Sequence, residues 1–166
     1  MTDAKTIDIL KQAILGERRG AALYDQVAKQ TKNPKMAEFF KGMAEEEKGH
    51  EALLAAQLKS AMNGKPFTAA QINDFGKKVT TAFISRETIA GINAAGFEAA
   101  AIASAINLEK NAVEFYGKRA EQATDDNEKK LYRWLSDWEN GHLDMLNQMD
   151  HDLTESVWDS NQFFPY

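Results

Sequence analysis

Two short runs of this sequence carry the residue types of a metal site. Glu47-Lys48-Gly49-His50 and Glu139-Asn140-Gly141-His142 each set a carboxylate and an imidazole three residues apart. A helix turns by about 100° per residue, so positions i and i+3 share a face one turn apart and the two donors of each run point the same way. The second run lies within RWLSDWENGHLDML (133–146), whose apolar residues recur at three- and four-residue steps. Glu139 and His142 fall on its apolar face, between Leu135 and Leu146. Two further carboxylates sit in apolar stripes: Glu17 among Leu10, Ile14, Ala21 and Tyr24, and Glu109 among Ile102, Ile106, Val113 and Tyr116.

These residues form a repeat. A shift of 92 positions lays Ala13-Ile14-x-x-Glu17 on Ala105-Ile106-x-x-Glu109, Tyr24 on Tyr116, and Glu47-x-Gly49-His50 on Glu139-x-Gly141-His142, with no gap between them. Each half reads as a helical hairpin with a Glu on its first helix and a Glu-x-x-His on its second. One such motif on a helix is usually an exposed coincidence. Two of them, each with an upstream core Glu at the same offset, use two of the chain's three histidines and point to a shared purpose. Four carboxylates and two imidazoles in one core are unstable alone, because burying an ion is costly and clustered carboxylates repel and retain protons. Two divalent cations would set four positive charges against four negative ones, with the imidazoles as neutral donors. A carboxylate–imidazole set without thiolate suits iron or manganese at a redox site.

The elements that must position these groups follow from pattern and punctuation. A helix is expected from about Ala4 to Lys32. Asn33-Pro34 then stops it and opens a second helix, Asn as N-cap and Pro at the first position, running to about Met62. Residues 67–93 read as a long connection, with a capping box at Thr68 and Gln71 opening a short helix through Phe75, and Ser85 capping another turn. A third long helix is expected from about Ala94 to Ala123. Asp125 with Glu128 opens a fourth, to about Met149, followed by an aperiodic tail, 150–166. Four long helices joined short–long–short make an all-α four-helix bundle of two duplicated hairpins with one crossover, about 5–149, within a single domain spanning 1–166.

Composition narrows the function classes. The absence of cysteine excludes disulfides, thiolate metal sites and a Cys nucleophile. The net charge of −5 argues against nucleic-acid and anionic-membrane partners. No apolar run approaches a membrane span and the first residues have no signal core, so a cytoplasmic location is expected.

Taken together, the paired Glu and Glu-x-x-His motifs resemble the rubrerythrin-like branch of the ferritin-like di-iron carboxylate superfamily. The resemblance implies two iron ions, with manganese or a mixed-metal pair also admissible. It implies that Glu47 and Glu139 bridge them, that Glu17 and His50 complete one metal's shell, and that Glu109 and His142 complete the other's. Tyr24 and Tyr116 resemble the family's tyrosines that donate hydrogen bonds to ligand carboxylates; large core side chains with a polar tip are the alternative reading. Rubrerythrins carry a further glutamate one turn after the third-helix ligand, where this chain has Ala112, and Glu114 lies too far around the helix to replace it. They also carry a four-cysteine rubredoxin domain, so electrons here are expected from an external donor such as a rubredoxin-type protein. The implied activity is reduction of hydrogen peroxide or dioxygen. A ferroxidase or iron-handling role and a non-catalytic metal-stabilised interaction module are the alternatives. The long crossover implies a homodimer, with exchange of hairpins between subunits left open as one of its two forms. Of the remaining residues, Glu98 is expected at the bundle's end or in solvent, Trp134 and Trp138 in packing beside Glu139, and His151 in solvent.

Overall fold

The computed structural model describes residues 4–68, 84–93 and 96–161. Five helices appear among them: α1 (Ala4–Gln30), α2 (Pro34–Met62), α3 (Arg86–Ala90), α4 (Phe97–Gln122) and α5 (Asp126–Asn161). The chain is an all-α, ferritin-like bundle. α1 packs along α2 and α4 along α5, giving the two hairpins, while α3 lies against α5. α1 and α4 meet far less extensively than the partners within either hairpin.

Local chemistry sets the helix ends. Asn33 Oδ1 accepts hydrogen bonds from the N–H of Lys35 at 3.0 Å and Met36 at 3.3 Å, and Pro34 occupies the first turn, where its missing N–H costs nothing. Asp125 Oδ1 accepts from the N–H of Asn127 and Glu128, both at 2.9 Å, at the start of α5. Ser85 Oγ accepts from Thr88 N–H at 3.3 Å and caps α3, as its position suggests. The tight turn after α2 uses Gly64 at φ 67°, a backbone region that glycine enters without a Cβ clash. The short helix expected from Thr68 to Phe75 falls, beyond Thr68, outside the described residues, as do the final residues 162–166.

The last helix differs from expectation. α5 does not stop near Met149 but continues for three more turns to Asn161, so most of the expected tail is helix. Leu146, Met149 and Leu153 keep an inward stripe at three- and four-residue steps, and Leu153 is 5% exposed. The stripe is hard to read because the segment is otherwise polar. α5 packs there against the first turns of α4 and against α3, which supply the apolar partners that propensity lacked.

The apolar core is in two parts. One gathers Tyr24, Phe39, Phe40, Met43, Ile89, Ile102, Leu146 and Leu153; the other gathers Leu10, Leu53, Leu54, Phe67, Tyr116, Leu131, Tyr132 and Leu135. The repeat is visible in their packing: Tyr24 lies 5.8 Å from Phe40 in one part, and Tyr116 lies 6.1 Å from Tyr132 in the other. Between the two parts lies a buried polar layer.

Leu153→Ala should lower unfolding free energy by about 2–3 kcal/mol, the usual cost of truncating a buried Leu. Urea denaturation of the metal-free protein measures it. A change within about 0.5 kcal/mol, the range of a solvated surface site, would contradict the packed extension of α5.

Candidate metal centre

The buried polar layer holds the six residues that the repeat singles out. Glu17 comes from α1, Glu47 and His50 from α2, Glu109 from α4, and Glu139 and His142 from α5; none is more than 3% exposed. The i, i+3 spacing brings each imidazole beside its own carboxylate, with His142 Nδ1 at 3.1 Å from Glu139 Oε2 and His50 Nδ1 at 3.7 Å from Glu47 Oε2.

Helix packing adds two more carboxylates to each imidazole, one from the first helix of its own hairpin and one from the opposite hairpin. His50 Nδ1 lies 3.2 Å from Glu17 Oε2 and 3.0 Å from Glu139 Oε1. His142 Nδ1 lies 3.2 Å from Glu47 Oε1 and 3.6 Å from Glu109 Oε1. Each Nδ1 therefore faces three carboxylates, whereas one N–H serves one acceptor well. Glu47 Oε1, Glu109 Oε2 and Glu139 Oε1 are buried without a hydrogen bond. Crowded oxygens that no well-directed N–H or O–H reaches are what a cation would satisfy, and carboxylate oxygen with imidazole nitrogen is a donor set for iron or manganese. Two sets of four donors, Glu17, Glu47, His50, Glu139 and Glu47, Glu109, Glu139, His142, are each close enough to hold a metal ion. Glu47 and Glu139 belong to both.

The tyrosines act across the hairpins. Tyr24 Oη donates to Glu109 Oε1, and Tyr116 Oη donates to Glu17 Oε1. Each tyrosine follows its own helix's glutamate by two turns yet meets the other helix's glutamate, so α1 and α4 run antiparallel past the site. Both phenols are pushed well above their usual pKa, chiefly by burial and then by the carboxylate each one meets, and so remain donors.

The charges balance without a cation only by keeping protons. Burial, then repulsion from Glu139 and Glu47, raises Glu17 well above the carboxylate range. Burial is also the main cause that pushes Glu109 up to about 8. Burial acts the same way on Glu47 and Glu139, but the surrounding imidazoles outweigh it and hold both low. Burial works against charged imidazoles, yet the carboxylates around His50 and His142 prevail and raise both well above the usual value. The raised groups, Glu17, Glu109, His50 and His142, all favour a bound proton, which offsets the carboxylate charge of the layer.

Some residues lie elsewhere. Glu114 is exposed and pairs with Lys118 at 2.6 Å. Glu98 sits at the far end of the bundle, accepting from Thr31 Oγ1 at 2.7 Å. His151 is exposed. Trp134 and Trp138 both stand edge-on to His50, with ring centroids 5.5 Å away. Sequence reading missed Glu46, whose Oε2 lies 2.8 Å from His142 Nε2 and accepts from Trp138 Nε1 at 2.8 Å. Its only signal is its place in the run Glu45-Glu46-Glu47, where an exposed charge is the usual reading. Gly20, on the same face as Glu17, borders the Glu47 side chain, where an added Cβ would lie at contact distance, 3.4 Å.

A cavity of about 630 Å³ opens between α1 and α4. Its walls include Ala13, Gly16, Ala112 and Phe115, and it reaches Glu17, Glu47, Glu109, Glu139 and Tyr116.

The sequence profile described as Rubrerythrin matches residues 8–150. The chain belongs to the rubrerythrin family, a ferritin-like di-iron family. The matched span contains both halves of the repeat and all six clustered donors. A solved structure, a hypothetical protein from Pyrococcus furiosus, is 27% identical over 90% of each chain, with a TM-score of 0.65. No curated protein matches the chain. No described helix of this rubrerythrin-family chain is long and apolar enough to cross a membrane.

The protons held at the centre give a prediction. Uptake of two divalent cations should release protons, because the protonated forms of His50, His142, Glu17 and Glu109 compete with metal. All four groups are raised above their usual ranges, Glu109 to about 8. Binding should therefore weaken as pH falls from 8 to 6. Titration in weakly buffered solution with a pH indicator measures the release. A pH-independent affinity with no release would contradict these protonation states.

Proposed function

We propose that Glu17, Glu47, His50, Glu109, Glu139 and His142 hold a pair of iron ions, with Glu47 and Glu139 spanning both positions. The protein then reduces hydrogen peroxide or dioxygen with electrons from an external donor. The observation that supports turnover over a purely structural metal is the cavity between α1 and α4, which reaches four of the six donors. Structural metal sites are closed by protein ligands, whereas catalytic ones keep an approach open.

Bound iron would supply the two electrons that, with two protons, convert hydrogen peroxide to two water molecules, and a separate donor such as a rubredoxin-type protein would restore them. The chain's own residues set the conditions. Glu47 and Glu139 provide charge that two cations can share. Tyr24 and Tyr116 orient the terminal carboxylates by donating to Glu109 and Glu17. Ala112 and Gly16 keep the approach from α1 and α4 open, and Phe115 limits it with an apolar wall. The same donors accept manganese or a mixed pair, so metal analysis of anaerobically prepared protein identifies the occupant.

This reading includes assembly as a homodimer. Leu15, Phe97 and Trp158 are large apolar residues left 46%, 41% and 57% exposed, and Leu15 lies at the cavity's rim. The crossover between α2 and α4 is long enough to carry a hairpin to a second subunit.

Loaded protein should hold two metal ions per chain. Glu47→Ala or Glu139→Ala should weaken their binding far more than Glu114→Ala or Glu98→Ala, and equal affinity in all four variants would sink the ligand assignment. Because metal binds the folded state, loading to about 100 times Kd should add about 2.7 kcal/mol of stability per site. With an electron donor present, the iron-loaded protein should consume peroxide repeatedly. Retention of many iron atoms per chain instead would mark iron storage.

Light scattering at micromolar concentration should give twice the chain mass of 18.5 kDa. A mass of one chain would reject the dimer.

A further inference from the structure

The repeat is broken at a pair of positions that stand beside the two imidazoles. A shift of 92 residues carries Glu46 onto Trp138, so an acidic residue in one half stands where the other has an indole. The two non-equivalent residues meet. Trp138 Nε1–H donates to Glu46 Oε2 at 2.8 Å, and His142 Nε2 lies 2.8 Å from the same oxygen. Glu46 is largely covered, its side chain 16% exposed.

Both imidazoles direct Nδ1 at the carboxylate cluster. Their outward sides differ. His142 has a carboxylate on Nε2. His50 has the matching residue, Trp138, edge-on at 5.5 Å, with Trp134 at the same distance. An indole N–H is a donor only and cannot accept a proton from an imidazole.

We propose that this exchange makes the two metal positions unequal: the Glu109–His142 position takes its divalent cation first and holds it more tightly, with Glu46 as the positioning residue and Trp138 holding Glu46 in place. The proposal rests on the reading that the six clustered residues are ligands. Its physical basis is the hydrogen bond from His142 Nε2–H to Glu46. That bond fixes the tautomer whose Nδ1 lone pair faces the metal, orients the ring and increases the donor strength of Nδ1. Loss of such an outer carboxylate ordinarily lowers metal affinity about 10–100-fold. The negative charge of Glu46 acts in the same direction. The Glu17–His50 position has an imidazole of the same kind against two indole edges, which hold the ring by packing.

Stepwise titration of the metal-free full-length chain with Co(II), followed by visible absorbance, tests this. The wild type should bind two ions in two resolved steps, the first at least about 10-fold tighter than the second. Glu17→Ala removes a donor from one position only, and Glu109→Ala from the other, so each background isolates one metal. In the Glu17→Ala background, adding Glu46→Ala should weaken the remaining site about 10–100-fold. Adding Glu46→Gln, which keeps an acceptor without the charge, should weaken it less, and Trp138→Phe should also have a smaller effect. In the Glu109→Ala background, Glu46→Ala should change affinity less than about 2-fold. Thermal melts of the metal-free variants separate this effect from loss of folding, and the Gln variant carries the test if the Ala variant unfolds. Two equal wild-type affinities, or equal weakening by Glu46→Ala in both backgrounds, would overturn the proposal while leaving the six-ligand reading intact. A wild type that takes up fewer than two ions would overturn both.

Discussion

The structure is organised around charge that has no water to solvate it. Four carboxylates and two imidazoles occupy a layer in which none is more than 3% exposed. Isolated buried ions carry a desolvation penalty that mutual attraction repays only when geometry and hydrogen bonding are good. Without metal, the surroundings favour protons on both histidines and on Glu17 and Glu109, yet three carboxylate oxygens still lack a hydrogen bond. The arrangement is adapted to cations and tolerated in their absence.

The rest of the fold can be understood as support for that layer. The core is divided into two apolar parts, one on each side, so that aromatic and aliphatic packing clamps the polar groups from both directions. The tyrosines belong to these apolar parts by their rings and to the layer by their hydroxyls. Because each reaches the glutamate of the other hairpin, they join α1 and α4, which otherwise meet sparingly. Surface pairs such as Arg18–Glu51 and Lys48–Asp25 bridge α1 and α2, but exposed ion pairs contribute little. The weak contact between α1 and α4 has a use: it leaves the approach to the carboxylates open.

Duplication explains the approximate symmetry, and its failures carry the chemistry. Gly20 matches Ala112, and the pair differ in what they permit. Gly20 lies against the Glu47 side chain, while Ala112 borders the cavity. Glu46 matches Trp138, and they differ in what they can offer an imidazole. Two identical halves would make two identical metal positions. The differences around each histidine make the surroundings of the two clusters unequal.

The six clustered residues and the all-α class were legible in the sequence because both depend on local periodicity. Spacing of i, i+3 fixes a common face, an apolar stripe fixes which face is buried, and the repeat ties two such faces together. Caps at Asn33, Ser85 and Asp125 were legible for the same reason, since a side chain that bonds a backbone N–H two or three residues ahead needs nothing distant. The last three turns of α5 were not, because a mostly polar segment gains its helix from α3 and α4, which lie far away in sequence. Nor were the crossing of Tyr24 to Glu109 and Tyr116 to Glu17, or the place of Glu46 between Trp138 and His142. These depend on how the hairpins pack face to face, and a helix pattern specifies which side is buried without specifying what it is buried against.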